Sequence, residues 1–151
     1  MTTIINGIDE LKSKVGAHLG YSPYVQITQE RVNEFAQATG DHQWIHVYTD
    51  RAKAGPFGGP IAHGYLSLSL GPMLAEQVYR IEGLTMGINY GTSKVRFPSP
   101  VPVGSMLRLD VTLLAVEDVA GGVQATFEYV FEVEGAPKPS CVAHVIFRLL
   151  S

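Results

Sequence analysis

The 151-residue chain is 46% hydrophobic with a formal net charge of −3, which suits one globular core and leaves little room for a second domain. Acidic and basic residues are mixed along it, and without a Lys/Arg cluster it offers nucleic acid no electrostatic footprint. The single cysteine, Cys141, excludes an intramolecular disulfide and a cysteine-based zinc site, and favours a reducing compartment.

The first fifteen residues carry Asp9, Glu10, Lys12 and Lys14 and hold no apolar stretch of the kind a secretory signal needs. Residues 28–39 read as a helix: Thr28 suits the N-cap, Glu30 the first turn, and Val32, Phe35 and Ala36 fall at helical spacing. Gly40 is the expected stop, since glycine accepts the left-handed conformation that closes a helix. Residues 41–47 are expected to be loop, and a short helix follows near residues 50–54, ended by Gly55 and Pro56. A longer helix spans about residues 64–80, apolar nearly all round at first (Leu66, Leu68, Leu70, Met73, Leu74) and therefore buried. Gly71-Pro72 should kink it. This stretch is too short and too interrupted to cross a bilayer, so a soluble, cytoplasmic protein without a membrane partner is expected.

The period then changes. Val123, Ala125, Phe127, Tyr129, Phe131 and Val133 alternate with polar residues, as do Leu107, Leu109, Val111 and Leu113, which is the mark of half-buried strands. Residues 141–150 and 85–97 read as two more. In the latter the apolar parity switches between Tyr90 and Val95, which predicts a bulge near Gly91. Gly121-Gly122 and residues 135–139 supply turns. Helices followed by antiparallel strands make an α+β pattern, and a curved sheet wrapped around a long apolar helix is its simplest solution: the hot-dog architecture.

Two segments carry chemistry. In Gly40-Asp41-His42-Gln43-Trp44-Ile45-His46, the large apolar Trp44 and Ile45 should draw the loop inward, so that Asp41 and His46 face a shared cavity. A carboxylate and an imidazole there can divide proton removal and delivery between them. The plainer reading makes Asp41 a turn former and His46 a surface residue. In Gly59-Pro60-Ile61-Ala62-His63-Gly64-Tyr65, a helix begins, and its first N–H groups lack partners. With no Cβ on Gly64, a ligand oxygen can approach that N–H and place developing enolate charge on it. The plainer reading is that Gly64 permits close packing and His63 is structural. His42, His18 and His144 read as exposed or strand histidines, Cys141 as a core residue, and Glu76 as a solvated helix-end carboxylate.

Taken together, Gly-Asp, a His five residues after the Asp, Ala52 six residues later, and Ile-Ala-His-Gly entering an apolar helix resemble the MaoC-like dehydratases. Lys94-Val95-Arg96-Phe97-Pro98-Ser99-Pro100-Val101-Pro102-Val103-Gly104 is similar to that family's strand and turn after the central helix. The resemblance extends over about residues 25–150, within a single domain taken as 1–151. It implies a homodimer of hot-dog folds acting as an (R)-specific enoyl-CoA hydratase, with Asp41 and His46 as the catalytic pair and Gly64 polarising the thioester carbonyl. It implies syn hydration of a trans-2-enoyl-CoA to the (3R)-3-hydroxyacyl-CoA, with no metal or redox cofactor. The family places Asn and Pro where this chain has Gln43 and Trp44. Gln43, Trp44 and His63 are candidate substrate contacts, and Arg51, Lys53, Lys94 and Arg96 are the cations nearest the motifs for the coenzyme A phosphates. The competing functions are a hot-dog acyl-CoA thioesterase, which would draw a carboxylate from the central helix, and a non-catalytic acyl-thioester-binding subunit.

Overall fold

A computed structural model describes residues 1–151, and its sheet rests on the alternation seen in the second half of the chain. Strand β1 (Thr3–Asn6) leads into helix α1 (Gly7–Ser13), followed by β2 (His18–Tyr21) and β3 (Val25–Gln26). Helices α2 (Gln29–Thr39), α3 (Trp44–Val47), α4 (Thr49–Lys53), α5 (Gly64–Ser69) and α6 (Gly71–Ala75) come next. Strands β4 (Tyr79–Glu82), β5 (Met86–Arg96), β6 (Met106–Val119), β7 (Gly122–Val133) and β8 (Cys141–Leu150) complete the chain. The main sheet runs in the order β2-β6-β7-β8-β5, with β3 also pairing with β6, and every pairing in it is antiparallel.

Alternate residues of β6, β7 and β8 point to one face and build the core. Leu107, Leu109, Val111 and Leu113 of β6, Val123, Ala125, Phe127, Tyr129 and Phe131 of β7, and Cys141, Ala143 and Val145 of β8 are all buried. Leu66, Leu74, Ala75 and Val78 from the α5–α6 region join the same cluster, so the helices lie against the sheet's inner face. Truncating one of the buried aromatics, such as Phe127, to alanine should cost about 3–5 kcal/mol, because transfer and cavity costs add. Gly71 lies beneath the Tyr129 ring, and a Cβ there would stand 3.3 Å from it.

Three expectations need correction. The segment 41–47 is not all loop: Trp44–Val47 forms one helical turn, with Tyr48 N–H donating to the Trp44 carbonyl at 3.1 Å. The central helix does not run to residue 80. It breaks at Leu70 into α5 and α6, stops at Ala75, and Tyr79 and Arg80 lie in β4. Proline at position 72 brings no N–H to hold the two pieces in one α-helical ladder. Nor do helices come first, because β1 to β3 precede α2 and β1 pairs with β4 in parallel. Helix α2 does follow the sequence closely: the Thr28 hydroxyl accepts from Arg31 N–H at 3.1 Å, and Gly40 closes the helix at φ +81°. The β5–β8 register also shifts between Asn89 and Gly91, where the bulge is expected.

Candidate active site

The segment entering α5 is pinned from both sides by main-chain bonds. Ile61 N–H donates to the Ile45 carbonyl at 3.0 Å, Ala62 N–H to Val101 at 2.8 Å, and Val103 N–H to Pro60 at 2.9 Å. This ties the end of the Asp41–His46 stretch to the entrance of α5 and to the turn before β6. The Ile61 carbonyl then accepts from His46 Nδ1 at 2.7 Å. A carbonyl only accepts, so Nδ1 carries the hydrogen and the neutral ring keeps its lone pair on Nε2.

His46 is buried, at 6% exposure. Burial pushes its proton affinity below the ordinary histidine value, the neighbouring His63 adds to the lowering, and the Ile61 hydrogen bond and Asp41 carboxylate only partly oppose it. The ring is therefore neutral at pH 7. Asp41 lies on the exposed rim, where its Oδ1 accepts from Gln43 N–H at 3.2 Å. The ligating atoms of Asp41, His46 and His63 all fall within 4.8 Å of one another. Such a trio suggests a metal, but the two imidazoles stack with centroids 3.9 Å apart and planes 26° inclined. Their in-plane lone pairs run side by side instead of converging, which does not fit a shared ion.

His46 and Gly64 line one cavity of about 260 Å³, together with Phe57, Ile61, Ser67, Phe97 and Ser140. Gly64 is the first residue of α5, so its N–H has no acceptor within the helix. A Cβ on Gly64 would stand 3.0 Å from the Phe97 ring, so the glycine has a packing reason as well as an open N–H. Asp41, expected to face this cavity, is not among its lining residues and stands at the rim beside His46. The cavity thus brings an imidazole with a free ring nitrogen and a free backbone donor to one mostly apolar wall, with a carboxylate nearby. Those are the parts needed to move a proton beside a carbonyl that accumulates negative charge.

The other candidates are more dispersed. His63 is 2% exposed and stands behind the pair, its Nε2 donating to the Asp41 carbonyl at 2.9 Å. Gln43 is exposed at the start of α3, and Trp44 is half-buried with its ring against Gly55. The Arg51 guanidinium lies over the Trp44 ring at 4.5 Å, and Lys53 is exposed on α4. Lys94 and Arg96 are on exposed β5, Arg96 being next to the cavity-lining Phe97. Glu76 is exposed just beyond α6, in a pocket with Gln77, Tyr79 and Arg80 that shares no residue with the His46 cavity. Sequence reasoning missed Gln29, whose amide donates to the His46 carbonyl at 2.9 Å, and the wall residues Phe57, Ser67 and Ser140. No spacing signal points to these, because each comes from a different element.

Residues 10–134 match the family model described as MaoC like domain. The chain belongs to the MaoC-like family. Among its relatives is the 3-hydroxyacyl-thioester dehydratase Z of Mycobacterium tuberculosis, 53% identical over 145 residues, covering 95% of this chain and 96% of that protein. The fold is shared with a monoamine oxidase regulatory protein from Archaeoglobus fulgidus, at TM-score 0.80 and 18% identity over 100% of this chain and 99% of that one. It is also shared with the (R)-hydratase from A. caviae involved in PHA biosynthesis, at TM-score 0.73 and 24% identity over 89% and 96% of the two chains. These likenesses confirm the α+β hot-dog fold of this MaoC-like chain. No helix in it is long and apolar enough to cross a membrane.

Proposed function

We propose that this MaoC-like protein is a hydro-lyase, an (R)-specific enoyl-CoA hydratase that also runs in reverse as a 3-hydroxyacyl-thioester dehydratase. The observation that carries the proposal is the free Nε2 of a neutral His46, held near the Asp41 carboxylate in the cavity that Gly64 borders. The 53% identical relative bears the name of the same reaction class.

In the hydration direction, Gly64 N–H donates to the thioester oxygen and stabilises the enolate that forms there. Asp41 accepts a hydrogen bond from a water and orients it. His46 Nε2 takes the water's other proton as its oxygen bonds to Cβ, and the resulting imidazolium delivers that proton to Cα. The C=C π bond is lost, one C–O and one C–H bond form, and both groups return to their starting states. Because Asp41 and His46 belong to one short segment, oxygen and proton add to the same face of the double bond, and the Gly64 N–H on the thioester oxygen fixes which face of Cβ meets the water, the one that yields the (3R) alcohol.

The same reading includes a single domain over residues 1–151 and a cytoplasmic location, where acyl-CoA thioesters occur. Arg51, Lys53, Lys94 and Arg96 supply charge for the coenzyme A phosphates, and Gln43 and Trp44 flank the substrate. It also includes a homodimer, since β5 ends the sheet with an open edge and exposed Met86, Ile88 and Tyr90. The test is hydration of crotonyl-CoA by the purified protein, followed as loss of the conjugated enoyl absorbance. The product should give no NADH with an (S)-specific 3-hydroxyacyl-CoA dehydrogenase. Unchanged absorbance rejects hydratase activity, and robust NADH formation rejects the (R) assignment.

A further inference from the structure

His63 is the most completely buried ionisable side chain beside the candidate pair, and it touches both members. Its Nε2 donates to the main-chain carbonyl of Asp41 at 2.9 Å, 22 residues away in sequence. Its ring stacks on His46 at 3.9 Å between centroids, and Phe35 of α2 closes a third side at 4.9 Å and 57°. With Nε2 engaged, the other ring nitrogen, Nδ1, is buried with no partner. Leaving a buried polar atom unsatisfied costs about 1–3 kcal/mol. A residue serving packing alone would do better as Phe or Leu at this site, with no such cost.

We propose that His63 is a positioning residue that fixes the distance and angle between Asp41 and His46. The inference rests on reading those two as the catalytic pair. Asp41 needs such a tie because its carboxylate is on the exposed rim and its other polar contacts are local, to Thr39 and Gln43. His46 already has two anchors, Ile61 through Nδ1 and Gln29 through its carbonyl. Without His63, Asp41 would lose its one long-range anchor, and a misplacement on the order of 1 Å costs about 10²-fold in rate.

The test compares two polar replacements in the full-length protein, His63→Gln and His63→Asn. The glutamine amide nitrogen overlays Nε2 and can still reach the Asp41 carbonyl, whereas the asparagine amide overlays Nδ1 and cannot. With crotonyl-CoA as the probe, His63→Asn should lower kcat by about 10²-fold with KM changed less than about threefold. His63→Gln should recover most of that loss, although both variants lose the imidazole and should melt within a few degrees of each other. Equal kcat losses in the two variants, or losses that simply follow melting temperature, overturn the proposal. Asp41→Asn and His46→Ala, assayed alongside, keep the two ideas separable. If they retain turnover, the catalytic-pair reading fails; if they collapse while His63→Asn stays active, only the positioning role fails.

Discussion

His46 donates Nδ1–H to the Ile61 carbonyl across 2.7 Å, and this one bond decides which face of the imidazole can act as a base. With burial holding the ring's proton affinity below the histidine value of 6.5, the base form persists through neutral pH. We therefore expect kcat/KM for hydration to be flat through pH 7 and to fall only as acid carries the solution below 6.5, through the lowered pKa. The stability sign is the same. The unfolded chain takes up this proton near 6.5 while the folded chain resists, so His46's contribution is complete above 6.5 and is lost as pH falls through the folded value. A rate profile measured by enoyl absorbance with its acid inflection above 6.5 would contradict this.

Asp41→Asn and His46→Ala should each lower turnover by about 10²–10⁴-fold, the usual effect of deleting a general acid–base group. The two differ in stability. Asp41 is exposed and should leave the melting temperature close to wild type, whereas His46 is buried among Ile61 and His63 and its removal opens a small cavity. The double variant should be little worse than the worse single one, because groups acting as a unit are not additive. Multiplicative losses in the double variant would mean that the two act independently.

The parts of this fold legible in sequence are those whose burial is periodic. Strand β7 keeps a strict alternation over ten residues or more and β8 over its first six, and α2 has both caps written in residue type, Thr28 and Gly40. What was hidden depends on distant partners. Strand β1 has only four residues and pairs in parallel with β4, so Thr3 meets Tyr79 across half of the chain, a relation no local pattern encodes. The turn Trp44–Val47 is too short to show a helical period. In the candidate site, Asp41, His46 and Gly64 were singled out by the resemblance to the MaoC-like motifs, and the structure sets His46 close to Asp41 and on one cavity wall with Gly64. The role of His63 was not, since burial behind the pair and contact with a cavity look the same from sequence.

The open edge of β5 gives the third prediction. The sheet ends on this strand, where Met86, Ile88 and Tyr90 are 53%, 42% and 60% exposed. An unpaired strand with an apolar surface is a template for a second copy. Light scattering should give the mass of two chains. Met86→Lys with Ile88→Lys should move it toward one, because like charges meet across a two-fold interface. A monomeric wild type at micromolar concentration, or a lysine variant that stays dimeric, would place the contact elsewhere or remove it.

Gly64 allows its two readings to be separated, because it is the first residue of α5 and His63 before it is extended at φ −60°, ψ 136°. Proline is tolerated at a helix's first position, where the N–H is unpaired anyway, and it requires an extended residue before it. Gly64→Pro therefore deletes the N–H while keeping the backbone. Gly64→Ala retains the N–H and adds only the Cβ that would stand 3.0 Å from the Phe97 ring. Since Phe97 is 44% exposed, its ring can yield by a few tenths of an ångström. If the N–H stabilises a developing oxyanion, Gly64→Pro should lower kcat by about 10²–10³-fold relative to Gly64→Ala, the usual effect of losing one such donor. Adding Phe97→Leu should relieve the alanine variant and leave the proline variant impaired. Equal losses in the alanine and proline variants, both restored by Phe97→Leu, would make Gly64 a packing residue with no part in the chemistry.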